Sequence, residues 1–186
     1  ISRCLENAGV KIGAYAPSVD QGTNLIGILG ERDNLVNKAE NSTIDDLMDK
    51  VIGEELYNKM YKEVESKGWA VYDMANDKSF PEGKEDSPLI NFVSNKPDYY
   101  PGGVFKLNEQ HPLILKWIEN IKPIDEDVII IDEYTHASPV VLAVLELYQR
   151  VYNSKFDKKI SLLFTGDGYQ DGYLVDANKT GESYKT

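Results

Sequence analysis

Apolar positions in this chain follow two kinds of pattern. Val128-Ile129-Ile130-Ile131 and residues 160–164 are short unbroken runs bounded by charged or turn-forming residues, and they predict strands. Between them, Val140, Leu142 to Leu145 and Leu147 recur behind Ser138-Pro139. Proline is pre-organised for the first position of a helix, so this segment predicts a helix from Pro139 to about Tyr152. Upstream, residues 10–16 (VKIGAYA) read as a strand closed by Pro17. Leu25, Ile26 and Leu29 give residues 18–29 a helical spacing, weakened by Gly22 and Gly27. A second helix starts at Ser42 or Thr43, with Asp45 and Asp46 at the positive end of its dipole. Leu47, Val51, Leu56, Met60 and Val64 extend one apolar face as far as Lys67-Gly68. Residues 1–7 read as the end of a helix with Ala8-Gly9 as its C-cap, and residues 112–119 as a short amphipathic helix ended before Pro123.

Residues 69–103 differ from the rest. Pro81, Pro88, Pro97 and Pro101, several glycines and a charged run surround two short β-type pieces, 69–72 and 89–93. This reads as a loop-rich insertion containing one hairpin. Strands that are apolar on both faces belong to parallel sheets covered by helices, so the class is α/β. The expected organisation is one domain in two parts, 1–68 and 112–186, with 69–111 as the insertion.

Composition narrows the picture. A chain of 186 residues is long enough to bury a sizeable core. Hydrophobic content of 41% and charged content of 27% are ordinary for a water-soluble domain. No apolar run approaches the roughly 18–20 residues needed to span a bilayer, and no signal peptide is visible, so no membrane partner is expected and the predicted location is cytoplasmic. Frequent Ile, Asn, Lys, Asp and Tyr also suit a viral or phage protein acting in a host cytoplasm. The first residue is Ile1, and the chain is expected to be a fragment of a longer parent. A net charge of −11 opposes indiscriminate binding of nucleic acid by the whole surface, but not a local groove that holds one strand through backbone and hydroxyl groups. One cysteine, Cys4, excludes an internal disulfide, and with only His111 and His136 beside it no soft-ligand zinc site can be assembled.

Chemistry gathers at two strand ends. The first apolar run stops at Asp132-Glu133, and the second at Gly166-Asp167-Gly168-Tyr169-Gln170. A carboxylate at the C-terminal tip of a central parallel strand lies in the crevice where open α/β sheets bind ligands. Mg²⁺ keeps several waters and binds through one or two carboxylates plus substrate phosphates, which suits Asp132. Glu133 is placed to polarise an attacking water. The plain alternative is that acidic residues merely solvate a strand end. His136 reads as an exposed loop histidine, Cys4 as a small buried hydrophobe, and the aromatics of the insertion as ordinary packing.

The order of these pieces resembles the Walker B and motif III region of superfamily-one helicases, in which an aliphatic run ending in Asp-Glu is followed by a helix and a strand ending in Gly-Asp-x-x-Gln. Gly13-Ala14-Tyr15-Ala16-Pro17-Ser18 looks like motif Ia of that family, and Ser42-Thr43-Ile44-Asp45-Asp46-Leu47 is similar to the motif that follows it. The resemblance runs from about residue 1 to 172. It implies a RecA-like parallel sheet flanked by helices, the first motor domain of an ATP-dependent helicase. Asp132 would hold Mg²⁺ through water, Glu133 would be the catalytic base, and Gln170 would read the γ-phosphate. Asp167 would orient its loop or assist in binding the cofactor. Pro17, Ser18 and Thr43 would line the path of single-stranded DNA or RNA. ATP and Mg²⁺ would be the cofactors of the intact protein, and a second motor domain of the same parent chain its partner.

Four departures accompany the resemblance. Ser18 stands at the motif Ia threonine, Asp45 stands where a histidine is usual, and the residues within and after Gly-Asp-x-x-Gln differ from the common ones. No Gly-x-x-x-x-Gly-Lys-[Ser/Thr] occurs in the 186 residues, so the isolated chain is expected to be inactive. Two other readings remain: a non-catalytic α/β interaction domain, and a metal-dependent phosphoesterase using Asp132, Glu133 and Asp167.

Overall fold

The computed structural model describes residues 8–30, 32–66, 88–94 and 103–166. In chain order these form β1 (Ile12–Tyr15), α1 (Val19–Leu29), α2 (Ile44–Val51), α3 (Glu54–Ser66), β2 (Ile90–Ser94), β3 (Gly103–Leu107), α4 (Pro112–Asn120), β4 (Val128–Ile131), α5 (Pro139–Lys155) and β5 (Ser161–Phe164). Two 3₁₀ turns, Ala39–Asn41 and Tyr134–His136, join them.

The aliphatic run that predicts a two-sided strand lies at the centre of a three-stranded parallel sheet ordered β1-β4-β5. Its register pairs Ile131 with Tyr15 on one side and with Phe164 on the other. Ile129 and Ile131 are fully buried on one face and Ile130 is buried on the other. Each such side chain contributes roughly 1.5–3 kcal/mol by leaving water, which favours β4 as the central strand. Helices flank the sheet, and the class is α/β.

One continuous hydrophobic core joins Tyr15, Ile129 and Ile131 to Leu47 and Met48 of α2, Met60 and Val64 of α3, Ile114 and Trp117 of α4, and Val144, Tyr148 and Tyr152 of α5. Ser138 caps α5 by accepting the Val140 N–H at 3.3 Å, and Pro139 begins the helix as its sequence predicts. Within this core Trp117 stacks on Tyr148 at 6.3 Å between ring centres and donates its indole N–H to the Val51 carbonyl at 2.8 Å. That bond ties α4 to the end of α2.

Two expectations are corrected. The single helix expected from residue 42 to 67 is two helices, α2 and α3, parted at Ile52-Gly53. Gly53 takes φ 85°, a left-handed conformation open to glycine, and its N–H is shared between Met48 O and Asp49 O at 3.1 Å each. The five-residue step from Val51 to Leu56 was the available signal, because it departs from helical spacing. The strand β3 was not singled out from its sequence. It pairs antiparallel with β2, from Ile90 with Leu107 to Ser94 with Gly103, a partner the sequence reading did not name. Leu89, Ile90, Phe105 and Leu107 join the main core. The predicted pieces at 1–7 and 69–72, Cys4, and most of the region read as an insertion lie outside the described residues.

The outer flank of β1 is covered by the segment that leads into α2. The Ile12 N–H donates to Asn34 O and the Val36 N–H to Ile12 O, both at 2.8 Å. Beyond them the Asn37 side-chain amide takes the place of a peptide: its Oδ1 accepts the Ala14 N–H at 2.9 Å and its Nδ2 donates to Ala14 O at 2.7 Å. Ala16 then exchanges 2.9 Å bonds with Ser42 O and the Ile44 N–H. Among the described residues no helix is long and apolar enough to cross a membrane.

Candidate functional site

At the tip of β4 the chain leaves the sheet in a tight acidic turn. The Asp132 N–H still donates to Tyr15 O at 2.9 Å, and the Thr165 N–H donates to Ile131 O at 2.9 Å, so both strand ends are held in register. Across this junction the Thr165 hydroxyl donates to Asp132 Oδ1 at 2.5 Å. Asp132 is half-buried.

Glu133 follows in the left-handed region, with φ 49° and ψ 41°, the one described non-glycine residue with positive φ. For a glutamate this costs about 1–3 kcal/mol, and it persists where the surroundings enforce it. Here the surroundings are a 3₁₀ turn closed by His136 N–H to Glu133 O at 2.9 Å, and a cross-strand bond from the Tyr134 N–H to Thr165 O at 3.1 Å. Gly166 completes the clasp: a Cβ on it would stand 3.3 Å from Glu133 Cα and 3.4 Å from the Tyr134 nitrogen, and its φ of 147° is one that side chains disfavour. Two buried oxygens in this turn, Glu133 Oε2 and Thr135 Oγ1, have no hydrogen-bond partner. Buried polar atoms are nearly always paired, so two orphans two residues apart in one turn mark a place where a water or ligand would supply the bonds.

Pro17 and Ser18 meet Thr43 at the same end of the sheet, because Ala16 extends β1 and forms a bridge with Thr43. Both hydroxyls are committed locally. Ser18 Oγ accepts the Gln21 N–H at 3.3 Å and caps α1. Thr43 forms a capping box on α2, accepting from the Asp46 N–H at 3.1 Å while Asp46 Oδ2 accepts from the Thr43 N–H at 2.9 Å and from its hydroxyl at 2.5 Å. Asp45 is exposed in the first turn of α2, and His136 is exposed after the acidic pair. Asp167 and Gln170 lie outside the described residues; the described chain stops at Gly166, against Glu133.

A second charged cluster precedes β4 and was not anticipated. Glu126 is fully buried, pairs with Lys50 of α2 through Oε1, and accepts the Tyr15 hydroxyl at 3.1 Å on the same oxygen. Its side chain lies across Gly13, where a Cβ would come within 2.8 Å of Glu126 Cγ. Burial, with the Glu126 carboxylate beside it, drives the Tyr15 phenol far above its ordinary value. Tyr15 and Lys50 also line a polar cavity of about 520 Å³ with Asn37, Asn41 and Asp46.

Thr165 is the other residue missed from sequence. A threonine directly after an apolar run is an ordinary strand end, and only the register β4-β5 places its hydroxyl against Asp132. Compared with known proteins, the chain matches no protein family, no curated protein and no solved structure.

Proposed function

We propose that this chain is part of an NTP-hydrolysing nucleic-acid motor of the RecA-like kind, in which Mg²⁺-assisted ATP hydrolysis drives movement along single-stranded DNA or RNA. One observation carries the reading: the Asp132-Glu133 turn stands at the C-terminal tip of the central parallel strand, clasped to the residues that open the Gly-Asp-x-x-Gln run. That crevice is where open α/β sheets hold ligands.

The donor set fits Mg²⁺. Asp132 has one carboxylate oxygen not engaged by Thr165, and Glu133 Oε2 is an orphaned oxygen in the next residue. Mg²⁺ takes most of its ligands from water and phosphate and needs only one or two carboxylates; among the described residues no group of three or more His, Cys, Asp or Glu could hold an ion. When bound, Mg²⁺ supplies charge neutralisation at the terminal phosphates. Asp132 would help hold the ion through water, and Glu133 is the residue that would accept a proton from the attacking water. Gln170, a few residues beyond Gly166, reads the γ-phosphate. The capping bonds of Ser18 and Thr43 leave contact with a strand at that corner mainly to backbone groups. A second motor domain of the parent chain completes the machine.

The test is Glu133→Gln in the full-length parent, a change that keeps shape and removes the base. ATPase turnover falls about 10²-fold or more if Glu133 takes the proton. Turnover at the wild-type rate defeats the reading and leaves a non-catalytic interaction domain.

A further inference from the structure

A polar cavity of about 520 Å³ opens between β1, the segment that flanks it, and α2, and none of its lining residues belongs to the acidic turn after β4. A space of that volume is the size of a small-molecule site. Tyr15 and Asn37, both buried, give it a fixed wall. The Tyr15 hydroxyl donates to Glu126, and the Asn37 amide is pinned between Ala14 and the Asn41 carbonyl at 2.9 Å. Three carboxylates line the same space, Glu40 from the 3₁₀ turn and Asp46 and Asp49 from α2. Among the described residues none of the three has an ion pair. Asp46 engages Oδ2 in the capping box, and Asp49 engages Oδ1 with the Glu54 N–H at 3.1 Å, so each keeps one oxygen for a further donor. Lys50 is already answered by Glu126, which leaves Lys38 alone against three negative charges.

A second observation points to a missing donor. Glu126 is 0% exposed, its Oε1 takes both Lys50 and Tyr15, and its Oε2 has no hydrogen-bond partner. The two residues that hold Oε1 themselves line the cavity, so this unanswered carboxylate oxygen stands directly behind its wall. Glu40 lies in a different element from Asp46 and Asp49, which are neighbours one helical turn apart, so the negative charge is spread along the cavity rather than focused at one point. A cation whose charge is spread along a chain matches that layout. Each terminal ammonium of an aliphatic amine offers three donors, and its methylenes can lie on Val36 and the Tyr15 ring. We propose that this cavity binds a small aliphatic polyamine through Glu40, Asp46 and Asp49. The site is independent of the hydrolase reading above.

The experiment titrates spermidine into the full chain by calorimetry, at physiological salt with Mg²⁺ present, so that loose counterion binding is screened. The wild type shows saturable binding. Glu40→Gln with Asp49→Asn weakens it about ten-fold or more. Glu119→Gln with Asp157→Asn, which removes the same charge at exposed positions outside the cavity, leaves it within about two-fold. Asn41→Trp fills the cavity without altering charge and abolishes binding. Circular dichroism checks each fold, and Asn41→Trp carries the test alone should the first double variant fail to fold. No saturable binding to the wild type, equal losses in the two double variants, or undiminished binding by folded Asn41→Trp overturns the proposal.

Discussion

β4 has carboxylates near both ends, and the two ends are built in opposite ways. Before the strand, Glu126 is 0% exposed and has a cation and a phenol on one oxygen. After it, Asp132 and Glu133 are half-buried, with one hydroxyl for the first and a left-handed backbone under the second. Taking a carboxylate out of water is costly, and at Glu126 Lys50 and Tyr15 offset that cost through Oε1, although its Oε2, like that of Glu133, has no hydrogen-bond partner. Among the described residues neither a cation nor a phenol answers Glu133. One end of the strand therefore locks α2 onto the sheet, while the other keeps carboxylate capacity in reserve at the expense of local strain.

Breaking the locked end gives the largest effect. Lys50→Met leaves Glu126 buried without its cation, and urea denaturation is expected to show a loss of about 3–5 kcal/mol. A loss near zero would mean that water reaches Glu126. Tyr15→Phe removes the phenol donor and costs about 1.5–3 kcal/mol at neutral pH. It also changes the alkaline limb. The Tyr15 proton is held more tightly in the folded chain than in the unfolded one, so its contribution is complete below the ordinary value of 10.0 and is lost as pH rises above it. Tyr57, pushed up to about 12 mainly by burial, adds to the same fall between 10 and 12. Stability measured from pH 9 to 12 should decline less steeply in Tyr15→Phe than in the wild type.

At the opposite end the effects are smaller and one has the reverse sign. Gly166→Val places a branched side chain at φ 147° against Glu133 and should cost about 1–3 kcal/mol by thermal melting. Glu133→Gly relaxes the left-handed residue and should raise stability by up to about 1 kcal/mol while abolishing ATPase in the full-length parent. If Glu133→Gly lowers stability instead, the glutamate side chain is contributing to the fold and the contrast between the two ends weakens.

What could be read from sequence follows from where side chains act alone. The strand bounds of β4 and the start of α5 were legible because four consecutive aliphatic residues and a Ser-Pro pair each declare their conformation locally. The break at Gly53 was signalled only by the five-residue step from Val51 to Leu56, which the apolar residues continuing on both sides outweighed. Asp125-Glu126-Asp127 drew no attention in the sequence, since nothing local sets one of three successive acidic residues apart. Its side chains are nevertheless 78%, 0% and 34% exposed, because the turn directs only the middle one over Gly13. Thr165 and the left-handed Glu133 escaped for the same reason: their significance comes from a neighbouring strand, and strand order is not written in either segment. The acidic pair itself was legible, since a carboxylate at a strand tip needs no partner to be noticed.

The amide of Asn37 has a consequence for how the molecule behaves in company. By imitating a peptide group beside Ala14, it closes the one gap in a flank otherwise sealed by main-chain bonds. A stray extended segment from another molecule finds no open ladder to join along β1, the kind of template from which aggregates grow.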